Sequence, residues 1–306
     1  MKPKIAAYIT CYQDQKSANQ CIQAIESQST KVASIYIVDN SHEELSLNNS
    51  CGTLLIHHHP SNIGIAEGLA HALEWAIRNE YHFLWAFDQD SIPKSDCLEI
   101  LLEQYNQLSN VNNYDVGIIA PTPVDPKTHE FITGAIFLKD RFVGIKHDSN
   151  VDFYECDAPI TSGSLIPLKV AKCVDLPRIE LFIDGVDFDY GLRIKKKGFY
   201  NIIVTKAIMY HSFGNPDKVK FMNDEIYIQQ YSPLRYYYIC RNHTYLDLYN
   251  SKEHYRFTSL VHRIRCMLVK IILIILYGKN DRLLKIWACL IGTYHGLIGK
   301  LGKTWQ

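Results

Sequence analysis

The chain has 306 residues, 47% of them hydrophobic, with 32 basic side chains balancing 32 acidic ones, which excludes a disordered or fibrous protein and leaves one large domain, alone or with an appendage. Nine cysteines with no C-x-x-C pair fit neither a disulfide framework nor a zinc ribbon, so reduced thiols in a cytoplasmic setting are expected. The charge is uneven: from residue 251 onward ten Lys and Arg face only Glu253 and Asp281, a basic tail on an acidic body.

Met1-Lys2-Pro3-Lys4 leads into a short apolar strand and then Gln13-Asp14-Gln15-Lys16, with no signal-peptide core. Lys4 to Tyr12 reads as the first strand, and Ser17-x-x-Gln20 supplies a capping box for a helix reaching about Gln28. Ser34 to Val38 predicts a second strand ending in Asp39-Asn40-Ser41, and Thr53 to His57 a third. After the turn Ser61-Asn62-Ile63-Gly64, the residues Ile65, Leu69, Ala72, Leu73, Ala76 and Ile77 recur at helical spacing. His82 to Phe87 is aromatic and too short for a typical helix, so it reads as a buried strand that delivers Asp88-Gln89-Asp90-Ser91. The order β-α-β-β-α-β predicts a largely parallel sheet built by right-handed crossovers.

A helix over Ser95 to Leu108 and a strand over Val116 to Ala120 continue the pattern. Thr122 to Ile166 then changes to short strands or loops, ending at Ile160-Thr161-Ser162-Gly163-Ser164, where a glycine permits close backbone approach. Tyr200 to Met209 predicts a strand delivering His211. Pro233 to Leu248, His254 to Tyr277 and Asp281 to Leu301 read as helices, the apolar run Cys266 to Tyr277 being too short to span a bilayer.

Two carboxylates at a strand end are costly without a cation, and ligands gather outside the carboxyl ends of the strands of an open α/β sheet. Asp88 and Asp90 therefore suggest a divalent metal and a diphosphate, although Asp and Ser are also ordinary turn formers there, with Ile92-Pro93 continuing as a loop. The second acidic cluster, Leu181 to Arg193, holds Asp184, Asp187 and Asp189. Asp184 as N-cap with Asp187 at N3 would account for it as a helix start.

These segments together resemble inverting family 2 glycosyltransferases of the GT-A fold, especially the bacterial rhamnosyltransferase branch. The likeness lies in Thr10-Cys11-Tyr12, Val38-Asp39-Asn40-Ser41, Ser61-Asn62-Ile63-Gly64-Ile65-Ala66, Phe87 to Ser91, Thr161 to Ser164, Leu181 to Arg193, Tyr210-His211-Ser212-Phe213-Gly214 and the R-Y-Y-Y-x-x-R-N run at 235 to 242. It implies an α/β GT-A catalytic domain over 1–250, Rossmann-like with a mostly parallel sheet, while charge and helical spacing make 251–306 a basic amphipathic helical appendage. It implies a metal-dependent nucleotide-sugar hexosyltransferase. Asp88, Asp90 and His211 would hold Mg2+ or Mn2+, and Thr10, Tyr12, Asp39, Asn62, Gly64, Asp88 and Arg235 would bind the donor. Asp187 is the implied base, and Ser162, Gly163, Asp189 and Arg193 lie toward the acceptor, the last two orienting it or bracing the site. The implied donor is dTDP-L-rhamnose, with galactofuranosyl and other deoxysugar transferases closely alike. The resemblance also implies a glycan or polyprenyl-linked glycan of the bacterial cell envelope as acceptor. The Q-x-x-R-W run of processive synthases is absent, which favours single transfers.

Two other classes are weighed. A nucleotidyltransferase would need a glycine-rich phosphate loop where Thr10-Cys11-Tyr12-Gln13-Asp14 stands, and a non-catalytic membrane-surface scaffold would not need the acids and His211 together. No nucleic-acid partner is expected. In the tail, Met267, Leu268, Ile271, Ile272, Ile275 and Leu276 predict one apolar face, with Arg263, Arg265, Lys270 and Lys279 free to reach anionic headgroups. The same face could instead pack on the body or form an oligomer, since Leu273 and Ile274 widen it.

Overall fold

The computed structural model of the chain describes residues 3–48, 54–111, 114–212, 214, 216–221 and 224–305; Met1, Lys2, Thr53 and Phe213, named above, lie outside them. Two compact units result: Met1–Ile136, Gly144–Ile179 and Val186–Ser212 form the first, and Phe137–Val143, Glu180–Gly185 and Phe213–Gln306 the second.

The first unit contains β1 (Ile5–Cys11), α1 (Gln15–Glu26), β2 (Ser34–Asp39), β3 (Leu54–His58), α2 (Gly64–Arg78), β4 (Phe83–Asp88), β5 (Ser91–Pro93), α3 (Cys97–Asn106) and β6 (Val116–Val124). The chain then forms the hairpin of β7 (Ala135–Leu138) and β8 (Arg141–Gly144), of which 137–143 belong to the second unit, and returns to the first with β9 (Phe153–Cys156), β10 (Leu165–Pro167), α4 (Leu168–Ala171), α5 (Val186–Lys196) and β11 (Tyr200–His211). One sheet takes the order β3-β2-β1-β4-β10-β6-β11-β5, with β9 also on β11. Its long strands run parallel, while short β10, β5 and β9 run antiparallel to their neighbours. β1 is buried at all seven positions, as a central parallel strand covered on both faces must be.

Local chemistry sets the ends of these elements. α1 is capped by Asp14, which accepts from Ser17 N at 3.0 Å and from Ser17 Oγ at 2.7 Å. The expected capping box at Ser17 is thus displaced by three residues: the carboxylate upstream takes the orphan amide and makes Ser17 its partner. Ile92-Pro93 is strand, not loop. Its proline sits at the end of an edge strand, the place in a sheet that tolerates a missing N–H.

The second unit holds the hairpin of β12 (Pro216–Phe221) and β13 (Asp224–Gln229) and the helices α6 (Pro233–Asn250), α7 (Arg256–Tyr277) and α8 (Arg282–Leu297). Ser232 caps α6 by accepting from Arg235 N, and Pro233 occupies the first turn. Within the R-Y-Y-Y-x-x-R-N run, Arg241 is fully buried. Its guanidinium donates to the carbonyls of Glu180, Leu181 and Gly302, and Asn242 donates to those of Leu181, Ile183 and Asp184. The run is therefore a clamp on the backbone of 180–185.

α8 lies on α6 through Gly292 and Gly296. A Cβ on Gly292 would overlap the carbonyl oxygen of Tyr237, and one on Gly296 that of Arg241. Gly292→Ala and Gly296→Ala are each expected to destabilise this unit by up to about 2 kcal/mol, because overpacking at about 1–3 kcal/mol opposes the roughly 1 kcal/mol of helix propensity gained. Chemical denaturation checks this, and unchanged or higher midpoints would show that the helices separate without cost.

Candidate active site

Parallel register alone gathers the first group of residues. Thr10 lies opposite Val38 of β2 and Asp88 of β4, and Cys11 lies opposite Asp39. After Asp90 the chain reverses into β5, whose antiparallel pairing sets Ser91 opposite His211. His211 thus meets Asp88 and Asp90, which lie more than a hundred positions earlier in the sequence, at one sheet edge. One ligand atom from each of Asp88, Asp90 and His211 lies within 4.8 Å of the others.

Buried hydroxyls set this group. His211 Nδ1 is 3.3 Å from Asp90 Oδ1 and 2.8 Å from Ser91 Oγ. Ser91 Oγ is 2.6 Å from Ser162 Oγ, which accepts from Asp88 N at 3.0 Å. Two half-buried carboxylates and a buried imidazole form a hard donor set with one nitrogen, which fits Mg2+ or Mn2+. Cys11 and Cys21 stand beside the aspartates, but burial first, and neighbouring negative charge second, push both thiols far up. They stay protonated and offer no thiolate chemistry.

The sequence reading missed Ser91 and Gln89. Ser91 is fully buried and acts by fixing the ring of His211, as outer hydrogen bonds to ligating histidines do. Ser91→Ala is expected to weaken Mn2+ binding by about tenfold or more. Calorimetric titration reads this, and unchanged affinity would remove Ser91 from the site. Gln89 accepts from Tyr12 N at 2.7 Å and donates to Tyr12 O at 3.0 Å, so it ties the ends of β1 and β4 together. Its only sequence signal is its place between the two acids.

The expected donor residues fall into distinct settings. Thr10 is buried and the Tyr12 side chain is 46% exposed. Asp39 is wholly buried, and its carboxylate accepts from Ser41 N and Leu45 N, shaping the loop after β2. Asn62, at φ 51°, accepts from Gly64 N, and Gly64 itself has φ 83°. Together they form the turn into α2. Arg235 belongs to the second unit, where its Nε is 3.3 Å from Asp184 Oδ2 and its guanidinium lies over Tyr231.

That contact corrects the capping role expected of Asp184. Its backbone is left-handed, at φ 66°, and its carboxylate meets Arg235 and, at 3.7 Å, His243. Burial works against its charge, but the hydrogen bond with His243 and the charge of Arg235 hold the carboxyl below its usual range. Asp187 lies half-buried in the first turn of α5, with Oδ1 accepting from Phe188 N. It lines a small cavity with Thr161, Ser164, Tyr190 and Gly191. The turn 161–164 therefore borders the Asp187 cavity while its Ser162 braces Asp88.

Ser162 and Gly163, expected toward the acceptor, are scaffold residues here. Ser162 is 1% exposed with its hydroxyl engaged. Gly163 has φ 78°, and a Cβ there would stand 2.6 Å from Pro121 Cγ and 2.7 Å from Met209 Sδ. Asp189 and Arg193 brace the region. Asp189 is 3% exposed, 3.4 Å from Arg178 Nε and 2.8 Å from Arg193 Nη2, and Arg193 also donates to the carbonyls of Asp175 and Leu176.

No protein-family model matches the chain. It is similar to the dTDP-rhamnosyl transferase RfbF of Shigella flexneri, with 26% identity over 220 residues, which are 72% of this chain and 70% of that protein. It is also similar to a solved structure of GalNAc-T7 with UDP, GalNAc and Mn2+, at TM-score 0.54 and 14% identity, over 70% of this chain and 45% of that one. The second likeness is one of fold, and the chain spans less than half of that structure's length. The two bear out the resemblance carried by the motifs, to GT-A glycosyltransferases of the rhamnosyltransferase-like branch.

Proposed function

We propose that the chain is an inverting glycosyltransferase that moves L-rhamnose from dTDP-L-rhamnose to a hydroxyl of a glycan or lipid-linked glycan in bacterial surface polysaccharide synthesis. The reading rests on the convergence of Asp88, Asp90 and His211 at the carboxyl edge of a GT-A sheet. The choice of sugar is supported by the likeness to a dTDP-rhamnosyl transferase.

Asp88, Asp90 and His211 would hold Mg2+ or Mn2+, which would supply positive charge against the negative charge growing on a leaving diphosphate. Asp187 accepts the proton of the acceptor hydroxyl as that oxygen bonds to the anomeric carbon. The bond from this carbon to the diphosphate oxygen breaks, and nucleoside diphosphate departs with the electron pair. A single displacement of this kind inverts configuration. The base contributes ~10² to 10⁴-fold, so positioning and charge stabilisation must supply the rest.

The test is thermal unfolding with a panel of nucleotide-sugars, with and without Mn2+, followed by product analysis. dTDP-L-rhamnose at about 100 times its dissociation constant is expected to stabilise by about 2.7 kcal/mol and to yield dTDP. Protection by another donor alone, such as a galactofuranose nucleotide, overturns the sugar. Release of pyrophosphate makes the chain a nucleotidyltransferase, and no donor protection at all leaves it a scaffold.

A further inference from the structure

The last two helices carry their apolar side chains outward and two of their charges inward. On α7, Phe257, Val261, Ile264, Leu268, Ile272 and Ile275 are exposed, Phe257 to 73%. At 100° per residue these positions fall in one stripe. The opposite side buries Ser259 and Arg263, the latter 3.3 Å from Asp247 Oδ2. α8 repeats the inversion: Leu283, Trp287, Leu290, Tyr294 and Leu297 are exposed, Leu283 to 84%. Lys285 is buried and donates to Lys279 O at 2.6 Å. The expected outward reach of Arg263 is thereby corrected, and Met267 and Ile271, expected on the free face, pack inward.

A helix that borders water has the reverse pattern, and apolar patches of this extent mark contact with another apolar phase. Among the described residues no helix is long and apolar enough to cross a membrane. The charges bordering the stripes choose the occupant. Lys252, Arg256, Arg265, Arg282 and Lys300 are exposed, against the exposed acids Glu253 and Asp281. A two-fold contact between copies would set this basic rim against itself, whereas anionic headgroups complement it. Exposed Trp287 and Tyr294 also have the rings that settle at headgroup level.

We propose that α7 and α8 lie in the interfacial plane of an anionic lipid bilayer, with their apolar stripes in the acyl boundary and the basic rim among the headgroups. The proposal stands on this surface and not on the glycosyltransferase reading.

Flotation of the full chain with vesicles of phosphatidylglycerol and phosphatidylethanolamine is the test, against phosphatidylcholine vesicles and against high salt. Binding to the anionic vesicles at low salt is expected to exceed that in either control by about tenfold or more. Tryptophan emission should shift blue on binding, and Trp287→Phe should abolish that shift. Leu268→Glu with Ile272→Glu should lower vesicle binding by about tenfold or more without lowering the melting temperature in solution. Failure of the full chain to float at low salt overturns the proposal, as does flotation of the double variant equal to that of the parent. A dimer in light scattering that the double variant splits, with no vesicle binding, makes the face a subunit interface instead.

Discussion

Asp187→Asn is expected to lower turnover by ~10² or more while the fold and donor binding persist. The amide keeps the shape of the carboxylate, and its oxygen can still accept from Phe188 N, the local bond that Asp187 makes in the first turn of α5. What it loses is the capacity to take a proton. A purely structural role at the helix start predicts something else: a loss of about 0.5–2 kcal/mol of stability with activity retained. Measuring the melting temperature and turnover of the same preparation separates the two, and unchanged turnover would end the catalytic assignment.

Asp90→Ala and His211→Ala are expected to lose turnover through metal affinity, by ~10² or more, since the charge the ion supplies is worth on the order of several kcal/mol. Excess Mn2+ should partly restore the His211 variant, which keeps both carboxylates. Restoration should be poorer for Asp90→Ala, which removes one of the two carboxylates of the candidate metal site. Titrating Mn2+ against turnover reads both effects. Wild-type activity of both variants in EDTA would show that the carboxylates and the imidazole serve another purpose.

Asp88, Asp90 and His211 were legible in the sequence because each stands at or just past the end of a strand with a strong apolar signal, and parallel strands share an edge. Ser91 was seen only as a turn former. Its partner His211 is 120 positions away, and β5 is three residues long, too short to have a period. β10, which joins β4 to β6 through one short antiparallel segment, was lost among loops for the same reason. Asp184 was misread because a capping motif is local, whereas its carboxylate answers to Arg235 and His243, far along the chain. In the tail, helical spacing located α7 and α8, but the orientation failed. The usual premise that charges face water put Arg263 outside, when Asp247 holds it within.

The insertion of β10 between β4 and β6 also dictates the order in which a nascent chain can finish its sheet. β1 to β4 can pair as soon as they leave the ribosome, but β4 then waits for Leu165 to reach Trp85, and β6 for both Leu165 and β11. Until then two apolar strands present open hydrogen-bonding edges, a template for wrong pairing. Loop closure over such separations is slow. The Ser91–His211 contact needs the last strand of the sheet, so affinity for the ion should be among the last properties that a refolding chain regains. Mn2+ binding followed during refolding would then mark molecules that have closed the sheet, not those that have merely collapsed.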